Sequence, residues 1–75
     1  MKEQTKSRKN LAKNVRAYRR KKNLTQEKTA EIAEVEYKYY QSIEGKKPPN
    51  ITLKTLEKLA KALDANPADL IKDSE

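Results

Sequence analysis

The stretch TQEKTAEIAEVEYKYYQSIE, residues 25–44, decides the fold. It reads as two short helices joined by a tight turn. Thr25 is a good N-cap, and Gln26, Glu27 and Lys28 follow as first-turn residues. Ala30 and Ala33 are small and apolar, so the helix they sit on can pack closely against a neighbour. The turn falls near Glu34 and Val35, with Val35 as the apolar plug between the helices. The second helix is expected from about Glu36 to Glu44. At about 100° per residue, Tyr40 and Ile43 share one face, with Glu36 between them in angle. Tyr37, Lys38, Gln41 and Ser42 fall on the opposite face. That face is a set of hydrogen-bonding side chains on a short helix, suited to base edges in a major groove.

Working outward, the segment before it is a basic helix expected to start near Lys9 or Asn10 and to end near Lys22. Leu11, Val15 and Tyr18 recur at i, i+4 and i+7 as an apolar stripe. The run Arg19-Arg20-Lys21-Lys22 sits where cations favour the helix dipole. Asn23 suits a left-handed position at the helix end, and Leu24 is expected as a buried anchor. Residues 1–8, MKEQTKSR, have no periodicity and read as a flexible basic arm.

Downstream, GKKPPN at residues 45–50 closes the second helix. Gly45 is expected to take positive φ, and the two prolines stiffen the exit. Lys46 and Lys47 are placed to hold phosphates. A fourth helix covers about Thr52 to Leu63, with Thr52 as N-cap. Leu53, Leu56, Ala60 and Leu63 share one face, with Leu59 beside it, and this is the strongest amphipathic pattern in the chain. Asp64 and Ala65 form a turn. Asn66 caps a last short helix with Pro67 at its first position and Asp69 in its first turn. Leu70 and Ile71 either close the core or form a partner surface. Residues 73–75 are expected to fray. The working domain is thus 9–72.

Composition bounds the function. The chain has 75 residues and net charge +7, with pI near 9.7. Residues 1–23 hold ten Lys/Arg and one Glu, whereas residues 24–75 hold eight Lys/Arg and ten Asp/Glu. The basic half favours a polyanionic partner, although basic helices also keep small proteins soluble. With no Cys and no His, disulfides are excluded and the commonest zinc ligands are missing, so no metal or other cofactor is expected. No apolar run approaches a signal peptide or a membrane span, so a cytoplasmic protein is the default. One Gly, three Pro and few strand formers point to an all-α fold.

Taken together, VRAYR (15–19), LTQE (24–27), Ala30, Val35, Ile43-Glu44, GKKPPN, LKTLEKLAKAL (53–63) and NPADLI (66–71) resemble one family over about residues 11–71. It is the Cro and phage-repressor type of helix-turn-helix, the XRE family. The form YYQSIE…PNITLKTLEKLAKAL also resembles small stand-alone regulators, including controller proteins of restriction–modification systems. The resemblance implies a compact five-helix, lambda-repressor-like DNA-binding domain with its helix-turn-helix at the second and third helices. It implies that Gln26 binds a phosphate and buttresses the reading helix, with the Thr25 hydroxyl beside it. Tyr37, Lys38, Gln41 and Ser42 match the base-facing positions, and Lys46 and Lys47 the phosphate loop. Arg19 and Glu44 match a pair that ties the first helix to the reading helix. Four positions depart from the pattern. Thr29 replaces a usual Leu, Glu34 a common Gly and Tyr40 a usual aliphatic residue, while Gly45 comes one position early.

The expected function is a sequence-specific regulator of transcription, acting as a repressor on double-stranded DNA. One such domain reads few base pairs, so a homodimer on a near-palindromic operator is expected, with Leu70 and Ile71 as candidate interface residues. No effector-binding domain is expected to fit in the chain. The alternative is an antitoxin-like module whose main partner is a protein. An enzyme is not expected: His, Cys and a phosphate-cradling Gly loop are all missing. RNA binding is kept in view only by Tyr37 and Tyr39.

Overall fold

The computed structural model describes residues 2–72, with side chains from Lys9 onward. It contains five helices: α1 (Lys2–Lys21), α2 (Gln26–Ala33), α3 (Tyr37–Ile43), α4 (Leu53–Ala62) and α5 (Pro67–Ile71). Among the described residues there is no strand. The all-α, five-helix expectation holds.

α1 begins at Lys2 rather than near Lys9 or Asn10. Nothing between them breaks a helix, and Lys, Glu, Gln and Arg are good formers. Aperiodic polarity was therefore a poor guide, because residues of high helix propensity can form a helix without an apolar stripe. The helical backbone replaces the expected arm over residues 2–8. The expected frayed tail, 73–75, lies outside the described residues.

Three helices end in the same way. Asn23, Glu34 and Asp64 are left-handed, with φ of 58°, 59° and 59°. The residue after each donates its N–H five positions back: Leu24 to Arg19 (3.1 Å), Val35 to Ala30 (3.0 Å) and Ala65 to Ala60 (2.8 Å). Each of those donors is apolar, which matches the hydrophobic contact that accompanies this type of helix end. Val35 and Ala65 pack against the core. Leu24 is half-buried rather than buried.

A glycine at position 34 would remove the steric cost of the left-handed backbone, roughly 1–2 kcal/mol. It would also gain unfolded-state entropy, which takes back about 0.5–1 kcal/mol. Glu34→Gly is therefore expected to stabilise by up to about 1 kcal/mol, a rise in Tm of roughly 4–8 °C in a domain this small. Thermal unfolding followed by circular dichroism checks it, and a fall in Tm would refute it.

Gly45 does not adopt positive φ. Its N–H bonds the Ser42 carbonyl at 3.0 Å. A Cβ on Gly45 would lie 3.2 Å from that same carbonyl oxygen, so close approach to the last turn of α3, not backbone handedness, is what the glycine serves.

The core gathers Leu11 and Val15 of α1, Ala30 and Ala33 of α2, Tyr40 and Ile43 of α3, Leu56, Leu59 and Ala60 of α4, Leu63 after it and Leu70 of α5. α1 packs on α5, α2 on α3 and α4, and α4 on α5. Leu53 departs from expectation: it is 69% exposed. It occupies the first helical position of α4, where the stripe has not yet reached the core. Thr52 caps that helix, accepting from the Thr55 N–H at 3.1 Å. Thr29 is fully buried. Its hydroxyl donates to the Thr25 carbonyl at 2.8 Å, which is how a polar residue occupies a leucine position without an unmade hydrogen bond.

Asn14 is a buried polar residue that sequence reasoning missed. Its amide donates to the carbonyls of Leu70 (3.1 Å) and Lys72 (2.9 Å). Those are orphan acceptors at the end of α5, so one side chain both caps α5 and fixes it to α1.

Candidate nucleic-acid interface

α2 and α3 form the helix-turn-helix unit. Thr25 caps α2 as expected, accepting from the Lys28 N–H at 3.0 Å. Tyr40 and Ile43 are the inward face of α3, both fully buried. Tyr37, Lys38, Gln41 and Ser42 are exposed, on the outward face assigned from the helical wheel. The Ser42 hydroxyl donates to the Tyr39 carbonyl at 2.6 Å. It remains available only as an acceptor, which narrows what it can do for a base. Tyr39 is half-buried and packs on the core, which removes it as a stacking platform. Lys46 and Lys47 are exposed just beyond α3, and Pro48 is buried, pinning the loop behind them.

Glu44, the C-cap of α3, is the hub of the site and only 3% exposed. Arg19 of α1 grips its carboxylate with both arms of the fork, Nε to Oε2 at 2.7 Å and Nη2 to Oε1 at 3.1 Å. Arg19 Nη1 also donates to the Leu24 carbonyl at 2.9 Å. Gln26, at the start of α2, donates its amide to Oε1 at 3.0 Å. The Tyr40 hydroxyl donates to Oε2. The resemblance implied the Arg19–Glu44 pair and a Gln26 buttress, but not the Tyr40 contact. The Tyr40 contact explains the replacement of an aliphatic residue: the ring fills the core and its hydroxyl reaches the carboxylate. Gln26 is thus a buttress by direct contact with the end of the reading helix.

The electrostatics follow from that geometry. Burial by itself raises the Glu44 carboxyl, but hydrogen bonds from Arg19, Tyr40 and Gln26 outweigh it and hold the group below the ordinary carboxylate range. Burial, then the bond to Glu44, pushes the Tyr40 hydroxyl above the ordinary tyrosine range, so it remains a donor. The bond to Glu44 likewise raises Arg19.

A carboxylate whose folded value lies below its unfolded value (about 4.3 for Glu) stabilises the fold fully above the unfolded value. That contribution is lost as pH falls through the folded value. The urea midpoint should therefore hold between neutrality and about pH 5 and fall progressively below it. Glu44→Gln should flatten that acid limb, and an unchanged limb would mean that other carboxylates control it.

Leu70 does not belong to a surface: it is fully buried in the chain's own core. Ile71 is 42% exposed and stays available. The division follows from α5 being so short, since one residue faces in and the next faces out. Among the described residues, no helix is long and apolar enough to cross a membrane, and no group of acidic side chains is placed to hold a metal ion.

The description of a helix-turn-helix domain matches residues 12–74. The control protein C.SmaI of Serratia marcescens is 48% identical over 61 residues, covering 81% of this chain and 71% of that protein. The crystal structure of the restriction-modification controller protein C.AhdI from Aeromonas hydrophila superposes with a TM-score of 0.77 at 30% identity, covering 84% of this chain and 94% of that one. With a hydrogen-bonding helix face exposed beside two lysines and locked from behind by a buried carboxylate, this chain belongs to the helix-turn-helix family of DNA-binding transcriptional regulators, and within it is similar to the controllers of restriction–modification systems.

Proposed function

We propose that the protein is a cytoplasmic, non-enzymatic controller of restriction–modification genes that represses transcription as a homodimer on a near-palindromic operator. The observation that carries this reading is the α3 face. Tyr37, Lys38 and Gln41 are exposed on a helix whose far side is fixed to α1 and α2 through Glu44. A helix already fixed in place has less backbone freedom to lose on binding, and that favours a specific contact over a merely electrostatic one.

Phosphate contacts from Gln26, the Thr25 hydroxyl, Lys46 and Lys47 set the register and supply the salt-dependent affinity. Lys38 is suited to guanine O6/N7 and Gln41 to an adenine edge. Tyr37 packs on a thymine methyl or donates its hydroxyl to a phosphate. α3 has seven residues, about 10 Å of helix at 1.5 Å per residue. That length spans only a few base pairs, and this is the physical case for a second copy reading a second half-site one helical turn away. Ile71 is the surface residue assigned to the dimer contact.

The test is selection of bound sequences from a pool of random duplexes at near-physiological salt, with sedimentation of the free protein. Enrichment of a two-fold-related sequence and a dimer supports the reading. Binding that enriches nothing and vanishes with modest salt refutes it, and moves a protein partner to the front.

A further inference from the structure

Arg16 lies outside the set of residues so far given a DNA contact. It sits on α1, three residues before Arg19, and reaches the same end of α3. Its Nη2 donates to the Glu44 main-chain carbonyl. Its Nε lies 3.7 Å from Glu44 Oε1, and its side chain is 39% exposed. Arg19, by contrast, is 13% exposed and holds the carboxylate with two hydrogen bonds.

The charge count at this corner is unbalanced. One carboxylate faces two guanidinium groups, and the carboxylate oxygens already accept from Arg19, Gln26 and Tyr40. Arg16 shares its counter-charge with Arg19, so this corner carries a net positive charge. A guanidinium carries five N–H donors; among the described residues, the one hydrogen bond Arg16 makes is to a neutral carbonyl. That carbonyl belongs to the residue just before Gly45, so the guanidinium is anchored two residues from Lys46 in the chain.

We propose that Arg16 is a phosphate-binding residue of the DNA complex, held by the C-terminal carbonyl of α3 so that its free N–H donors meet the same backbone segment as Lys46 and Lys47. Two consequences distinguish it from a lysine on the loop. Its planar fork can grip a phosphate bidentately. Its anchor moves with α3, so the contact couples the strand's position to the angle of the reading helix. The assignment rests on the duplex-DNA reading above.

The test measures binding of a mixed-sequence duplex of about three helical turns, roughly 30 base pairs, by fluorescence anisotropy over a salt series. Arg16→Gln should reduce the slope of log K against log salt by about one and weaken binding by the same factor on mixed and selected sequences. Arg16→Lys should restore the slope. Lys72→Gln removes one charge from a residue ion-paired with Asp69 at 3.4 Å, and should leave the slope unchanged. A slope unaltered in Arg16→Gln overturns the assignment, as does an equal drop in Lys72→Gln, which would report total charge alone. A readout that does not depend on a variant is the Arg16 Nε–H resonance of the wild-type protein, which should shift on adding duplex. Its failure to shift while other α3 signals move overturns the assignment and leaves the DNA reading intact. Absence of any duplex binding by the wild type overturns both.

Discussion

Glu44→Ala is expected to destabilise the fold by about 3 kcal/mol or more, the range for removing one partner of a buried, hydrogen-bonded ion pair. The loss is large because four groups are abandoned together. Arg19 is left charged and mostly buried, the Tyr40 hydroxyl and the Gln26 amide lose an acceptor, and Arg16 loses its nearest counter-charge. Small domains hold about 0.05–0.15 kcal/mol per residue, so a chain of 75 residues has roughly 4–11 kcal/mol in total. The substitution therefore removes a large part of the margin. The double change Arg19→Met with Glu44→Leu should cost less than Glu44→Ala alone, because no charge is then stranded. Urea unfolding of both single variants and the double variant decides it. A double variant as unstable as the sum of the singles would mean that the two side chains are not coupled, and would refute the stranded-charge account.

The second large effect is on recognition. Lys38→Ala and Gln41→Ala should each weaken binding to the selected duplex by about 1–3 kcal/mol, roughly five- to 150-fold. Both side chains are exposed, so unfolding midpoints should not move. The loss should appear as relaxed preference at particular base pairs, with mixed-sequence affinity nearly kept. Ser42→Ala is the internal comparison: its hydroxyl already serves the Tyr39 carbonyl, so only a small loss is expected. Equal losses on every sequence for Lys38→Ala would make that lysine a backbone contact instead.

Much of this architecture was legible in the sequence, for physical reasons that differ by residue. The α3 faces followed from periodicity, because burying Tyr40 and Ile43 forces Tyr37, Lys38 and Gln41 outward. Thr25 and Thr52 announced the starts of α2 and α4, since a hydroxyl ahead of a helix has a local job to do. The left-handed position was legible at Asn23, and at Glu34 only through the Gly that is common there. What escaped was long-range and polar. Asn14 gives no local sign that it caps a helix 56 residues away. Resemblance found Arg19, Glu44 and the Gln26 buttress but not Arg16 and Tyr40, which complete the five-residue cluster. Leu53 and Gly45 were misjudged, and Leu70 was left open between core and partner surface, for a shared reason. Burial at an element's end, and the demand on a glycine, depend on where neighbouring segments run, which periodicity does not encode.

The position of Glu44 has one more consequence. α3 is seven residues long, far below the length at which an isolated helix persists in water. Its C-cap residue is fastened to α1 and α2 at once. Opening α3 therefore strips both of those helices of their anchor, and the amides of the reading helix should exchange with solvent only when the whole domain opens. The surface offered to DNA then has no separate lifetime of its own: it is present for as long as the molecule is folded and absent otherwise, with no frayed intermediate between the two.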